Sequence, residues 1–463
     1  MGLKLYNTLK REMEEFKPLE EGKVKMYSCG QTIYDDLHIG NARAYIAWDT
    51  LRRYLQYKGY TVRHVQNITD VGHLTDDGDQ GEDKVEKRAK ELGLEPMELV
   101  EDQIQRYFED TQALNIERQN IVPRATGHIN EMIHYVEKII ENGYGYEVDG
   151  SIYFDVESFA EDYPYGDMAK KDLNELKSEA EARVEHDEKK KNQFDFALWI
   201  NADESHAMKW ESPWSTGYPG WHLECSVMSQ KYLGDEFDIH TGGKDHIFPH
   251  HPNERAQAFA ATGHGQARYW LHNEFVKWQG EHMSKSTGNF VTVRDLLEEF
   301  EGDTIRLYIN SAHYRSETNF SKEGLEKAEK ELKKLRKAYK LSDGEGLEKE
   351  AEKAREKFEE FMDNDLNTAK AKQALVSLAG KVNSRGNASE DVGNTLQELS
   401  MVLGVDIRPD VTVRESSMAD LLSELRDDSR EREDYKTSDF IRERLENLGF
   451  EVEDSENGSQ WFK

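Results

Sequence analysis

The chain has 463 residues, 37% of them hydrophobic and 33% charged, with a formal net charge of -31 at pH 7. Such a length exceeds one ordinary core, so two or three domains are expected, and no apolar run approaches the ~20 residues of a membrane helix. The acidic balance would repel a polyanion over the surface as a whole; Met1 to Lys10 lacks a signal-peptide pattern, and the two distant cysteines, Cys29 and Cys225, give no disulfide framework, so a cytoplasmic protein with no membrane association is expected.

In chain order, Lys23 to Ser28 reads as a short strand through Val24 and Met26, and Cys29-Gly30 mark its carboxyl end. Asn41 to Tyr57 follows as a helix, because Ala42, Tyr45, Ile46, Leu51 and Leu55 suit one face, and Gly59 ends it. Tyr60 to Val65 alternates as a second strand and runs into Asn67-Ile68-Thr69-Asp70. This βαβ unit binds ligands beyond the carboxyl ends of its strands, where Cys29 and Thr69 both fall. Helices, a strand at Ser151 to Val156 and the charged stretch Glu179 to Lys191 then interrupt the alternation, which predicts a subdomain at 112–212 inserted between two α/β halves, 1–111 and 213–320. In the second half Phe237 to His240 is a strand, Thr241-Gly242-Gly243 a loop, Asn253 to Ala261 a helix and Tyr269 to Lys277 further strand. Beyond Ser321, Leu325, Ala328, Leu332, Leu335 and Tyr339 step by three and four, so 321–410 is expected to be helical, with a small C-terminal module at 411–463.

His38-Ile39-Gly40-Asn41 opens the first helix. Backbone N–H groups and the positive end of the helix dipole favour phosphate there, Gly40 permits close approach, and His38 and Asn41 can donate to phosphate oxygens. A histidine at a helix start is also an ordinary cap. In Gly280 to Asn289, glycines flank hydroxyl-rich residues around a central Lys285, which suits a mobile loop that closes on polyphosphate and neutralises departing charge. A solvated serine-rich loop has the same composition.

The two segments together resemble the paired nucleotide-binding signatures of class I aminoacyl-tRNA synthetases. Tyr27-Ser28-Cys29-Gly30, Tyr34-Asp35, His38 to Arg43, Trp221 to Ser226 and Phe248-Pro249-His250-His251 narrow the resemblance to the cysteinyl-tRNA synthetase family, and it spans nearly the whole chain. Departures are Asn41 for the usual last histidine of the first signature, His282 for the first lysine of the loop motif, Gln31 where proline is common and Tyr435 for tryptophan.

The resemblance implies an α/β, Rossmann-type parallel-sheet catalytic domain with an inserted subdomain, an α-helical domain and a C-terminal anticodon-reading module. It implies an ATP-dependent ligase that activates L-cysteine and transfers it to tRNA(Cys). Zinc is expected at Cys29, Cys225, His250 and Glu254; thiolate, imidazole and carboxylate together suit that ion, although a purely architectural zinc uses the same ligand types. Gly30, Thr69 and Trp221 are expected around cysteine. ATP, carried with Mg2+, is expected against His38, Gly40, Asn41, Gly243, Asp245, His282, Ser284 and Lys285, with His38, Asn41 and Lys285 catalytic. Arg430, Asp439, Arg442 and Trp461 are expected at the anticodon, by base-edge contacts and ring stacking. Two rival readings are a related ligase joining cysteine to an amino sugar in mycothiol synthesis and a catalytically dead RNA-binding relative.

Overall fold

The computed structural model describes residues 2–74, 81–171, 175, 178, 189–204, 206–282, 290–408, 413–455 and 458–462, with the backbone alone at 282, 413–417, 455, 460 and 462. The chain divides into two units, one of residues 1–325, 359–371 and 402–404, the other of 326–358, 372–401 and 405–463. No helix among the described residues is long and apolar enough to cross a membrane.

The first unit opens with a hairpin, β1 (Lys4–Asn7) and β2 (Glu12–Glu15), followed by β3 (Lys23–Thr32), α1 (Ile39–Tyr57) and β4 (Thr61–Thr69). Later in the chain come α6 (Trp221–Leu233), β10 (Glu236–Gly243), α7 (His250–Thr262) and β11 (Gln266–Asn273). The central sheet has four parallel strands in the order β11-β10-β3-β4. The chain moves outward from β3 to β4 and returns on the other side of β3 with β10. Strand order therefore reverses between β3 and β10, and a ligand cleft is expected beyond their carboxyl ends. Helix α1 buries Ala42, Tyr45, Ile46, Leu51 and Leu55 as its periodicity requires. It starts at Ile39, ahead of the expected Asn41, because His38 caps it.

The segment Thr241–Gly243, expected as a loop, is strand: it pairs in parallel with Leu271, His272 and Asn273 of β11. Two glycines specify no strand locally, so the neighbouring strand supplies the ladder. The run expected as one strand at Tyr269 to Lys277 is two, β11 and β12 (Val276–Trp278), the latter pairing with β13 (Glu281–His282) and β14 (Thr318–Phe320).

Between β4 and α6 lie α2 (Lys84–Leu92), α3 (Pro96–Ala113), α4 (Ile129–Glu141) and α5 (Val156–Asp162), and a five-stranded sheet. Its strands are β5 (Gly145–Val148), β6 (Ser151–Phe154), β7 (Phe196–Asn201), β8 (Trp210–Glu211) and β9 (Thr216–Pro219), all antiparallel. The sequence showed one of these strands, since runs this short carry almost no period. The sheet continues to Pro219, past residue 212.

Two short helices, α8 (Val293–Leu297) and α9 (Gly302–Ile309), precede the helical part, α10 (Lys322–Lys340), α11 (Glu348–Met362), α12 (Thr368–Arg385) and α13 (Glu390–Val402). The second unit ends in α14 (Val413–Glu431), α15 (Tyr435–Asn447) and the hairpin β15 (Glu451–Ser455) and β16 (Gly458–Phe462). Ala419, Ile441, Leu445, Phe450, Val452 and Trp461 form the core of this end.

Candidate active site and metal cluster

A cleft of about 730 Å³ opens at the carboxyl ends of β3 and β10, lined among others by Cys29, Gly30, His38, Gly40, Asn41, Thr69, Trp221, Cys225, Gly243, Asp245 and His250. Eleven expected site residues of the first unit thus meet on one wall system, with Glu254 directly behind them. One ligand atom each from Cys29, Cys225, His250 and Glu254 lies within 4.8 Å of the others, and all four side chains are buried. Helix α7 sets His250 and Glu254 one turn apart, with Nε2 3.0 Å from Oε1. Cys29 comes from the end of β3 and Cys225 from the second turn of α6.

The surrounding hydrogen bonds aim these donors inward. His250 Nδ1 meets His222 Nδ1 at 2.8 Å, which leaves Nε2 toward Glu254. His240 Nε2 sits 2.8 Å from Glu254 Oε2, and His251 Nε2 3.3 Å from Cys29 Sγ. Partners of this kind fix the orientation of metal-ligating side chains. The hydrogen bond from Cys29 is the chief influence lowering the Cys225 thiol to about 6, while burial pushes the Cys29 thiol up. Burial opposes a charge on His250, yet Glu254 and Cys225 raise it to about 10. A buried set that holds positive charge this firmly fits a cation, and soft sulfur beside imidazole and carboxylate suits zinc.

Beside the cluster, the Gly30 N–H donates to Asn67 Oδ1 at 2.8 Å, and a Cβ at Gly30 would stand 1.6 Å from the Asn67 carbonyl oxygen, so only glycine fits. Asn67 Nδ2 donates to Thr69 Oγ1 (3.1 Å), which donates to the buried Glu224 (2.8 Å). Thr69 is thus held by two partners. Trp221, the first residue of α6, packs its ring 4.4 Å from that of His250.

On the nucleotide side, His38 Nδ1 accepts the Gly40 and Asn41 N–H groups at 3.1 and 3.4 Å. The ring proton therefore sits on Nε2, and His38 is both cap and donor. Gly243 ends β10 beside Asp245, whose carboxyl is 63% exposed. His282 is described in backbone only, as part of β13; Ser284 and Lys285 lie outside the described residues.

Arg43 was not among the expected site residues. Its guanidinium is buried and donates to the carbonyls of Glu274 (3.0 Å), Phe275 (2.7 Å), His313 (3.0 Å), Tyr314 (3.3 Å) and Ser316. Burial lowers it to about 10. Glu274 and Phe275 line the cleft, so this clamp ties the phosphate end of α1 to the opposite wall. An arginine among the apolar positions of α1 was the available signal.

In the C-terminal module Arg430 and Asp439 are exposed and Arg442 is half-buried. Trp461 corrects its expectation: it is 3% exposed, its Nε1 donates to Asp420 at 2.6 Å, and Lys340 lies over its ring, so the ring is core and offers no stacking face. Asp454, which sequence reasoning missed, gathers Arg426 (2.5 Å), Arg430 and Arg442 (3.7 Å). Nothing in the sequence marks it out from 92 acidic residues.

This parallel sheet, with a phosphate-favouring helix start and a cysteine–histidine–glutamate cluster at its switch point, is the catalytic domain of a class I aminoacyl-tRNA synthetase: the family described as tRNA synthetases class I (C) catalytic domain matches residues 15–330, and a DALR domain matches 357–408. Cysteine--tRNA ligases resemble the chain along its full length. That of Thermus thermophilus is 46% identical over all of this chain and 99% of its own, that of Desulfitobacterium hafniense 44% over the same shares, and that of Thermococcus kodakarensis 42%. The chain belongs to the cysteine–tRNA ligase family and is an aminoacyl-tRNA ligase. Solved structures share the fold at low identity. Methionyl-tRNA synthetase of Mycobacterium tuberculosis in complex with methionyl-adenylate aligns with a TM-score of 0.58 at 16% identity, over 87% of this chain and 94% of that one. A LeuRS of Agrobacterium radiobacter in a ternary complex with tRNA aligns with 0.60 at 13%, over 84% of both.

Proposed function

We propose that this chain activates L-cysteine with ATP to cysteinyl-adenylate and transfers the cysteinyl group to the 3′ end of tRNA(Cys), with one zinc ion held by Cys29, Cys225, His250 and Glu254. The observation that carries this reading is the juxtaposition of the buried donor set with the phosphate-favouring start of α1 in one cleft. Bound there, zinc would supply a Lewis acid that takes the substrate thiol as thiolate. Gly30, Thr69 and Trp221 enclose the rest of the amino acid.

In the first step a cysteine carboxylate oxygen attacks the α-phosphorus of ATP, and pyrophosphate leaves with the electron pair of the broken bond. The terminal ribose hydroxyl of the tRNA then attacks the carbonyl, and AMP leaves. No protein nucleophile is required, so the residues act by positioning and by stabilising phosphate charge. His38 through Nε2–H, Asn41 and Lys285 carry that task, joined by Gly40, His282 and Ser284; Gly243 and Asp245 receive the adenosine, whose ribose hydroxyls a carboxylate can accept. Mg2+ accompanies the nucleotide. Arg430, Asp439 and Arg442 face the anticodon, with Trp461 supporting them from the core. The protein acts in the cytoplasm.

The full-length relatives favour neither rival. Cysteine-dependent ATP–pyrophosphate exchange is expected, and its absence would refute activation. Charging of tRNA(Cys) separates an RNA ligase from an amino-sugar ligase, which would show exchange without charging.

A further inference from the structure

His73 occupies the wall between the thiol and phosphate ends of the cleft and belongs to no recognised motif. Lys84 Nζ stands 2.8 Å from its Nε2. An ammonium only donates, so Nε2 accepts, the ring proton sits on Nδ1, and Nδ1–H donates to Thr32 Oγ1. The Thr32 hydroxyl keeps its own hydrogen to give, and among the described residues the Thr32 side chain makes no other hydrogen bond, its carbonyl accepting from the Tyr34 N–H at 3.1 Å. The other side of the His73 ring lies flat on Trp221, with centroids 4.0 Å apart and planes at 8°. The arrangement is anchored from behind: the Lys84 N–H donates to the His73 carbonyl at 3.0 Å, and Asp83 accepts from the Gly72 N–H at 2.7 Å. Thr32, His73, Lys84 and Trp221 all line the cleft.

We propose that His73 is a positioning residue for carboxylate activation: it aims the Thr32 hydroxyl at the carboxylate of the amino acid and fixes the plane of Trp221. This rests on the activity proposed above. Thr32 is the last residue of β3, opposite Thr69, and lies along the chain between Cys29 and His38. A cysteine with its thiol at the metal cluster and its carboxylate turned to ATP passes this point. One carboxylate oxygen forms the bond to phosphorus; the other accepts from Thr32, and no proton moves. A donor chain headed by an ammonium polarises its last O–H.

Wild-type exchange activity establishes the underlying reading first. Thr32→Val should then lower kcat/KM for cysteine in ATP–pyrophosphate exchange by on the order of tenfold or more, with Thr32→Ser restoring most of it. Cysteamine, which has the thiol and amine but no carboxylate, should inhibit wild type and Thr32→Val equally. His73→Phe keeps a ring on Trp221 but removes the relay; it should reproduce the loss, and the double variant should be no worse than either single one. A loss under roughly threefold in Thr32→Val, equal weakening of cysteamine, or additive losses in the double variant would each overturn the proposal while leaving the activity itself intact.

Discussion

Serine differs from cysteine by one atom, too little for pocket shape to reject strongly. A thiol has a pKa of about 8.5 and ionises readily on a metal, whereas a hydroxyl is a far poorer acid and zinc ligand. If the cluster performs this filter, Cys225→Ser should reduce bound zinc and cysteine activation together. Zinc-edge X-ray absorption of the wild type should gain a sulfur scatterer at ~2.3 Å on adding cysteine; an unchanged spectrum would leave the metal purely structural. Lys285 is expected to matter most as pyrophosphate leaves. Lys285→Ala should lower the rate of adenylate formation far more than the affinity for cysteine, and equal losses in both would contradict that role.

At the scale of elements, two contacts hold the walls of the cleft. Arg43 joins α1 to the segments 274–275 and 313–316 through five carbonyls, a geometry that needs a planar fork of donors. Arg43→Lys keeps the charge but presents it from one point. It should raise KM for ATP several-fold with little change in cysteine affinity, and lower the melting temperature, because carbonyls left unpaired cost about 1–3 kcal/mol each. Asp83 holds the other wall by accepting from Gly72, Val85 and Glu86, yet burial raises its carboxyl to about 6. The folded state thus binds a proton that the unfolded chain, with its aspartate near 3.8, has released. Stability from this group is complete below about pH 4 and is lost as pH rises to about 6, on the order of 3 kcal/mol. Asp83→Asn, which keeps an acceptor oxygen, should flatten the pH dependence of melting temperature across that window; an unchanged slope would assign it to other groups.

For the whole molecule, the cleft and metal cluster lie in the first unit, and Arg430, Asp439 and Arg442 in the second. Removing residues 411–463 should therefore spare cysteine-dependent ATP–pyrophosphate exchange while cutting tRNA charging by on the order of tenfold or more, as expected when base contacts are lost. Loss of exchange in a truncated chain that keeps its circular dichroism would break this division of labour. The acidic surface makes local basic contacts the more necessary, since the net charge of -31 opposes RNA binding.

The sequence by itself determined the βαβ start and the periodicity of α1, because local pattern carries those facts, while the four residues expected to hold a metal came from the family resemblance. His250 and Glu254 could be paired in advance, since one helical turn separates them. What brings Cys29 and Cys225 to that pair is the parallel register of β3 with β10 and the seating of α6, which no local pattern encodes. Short strands β5 to β9 were nearly illegible for the same reason: their stability comes from neighbours. Arg43, His73 and Asp454 make their contacts with partners distant in sequence or with a ring face, and Trp461, a stacking candidate by the family resemblance, packs in the core through tertiary burial alone.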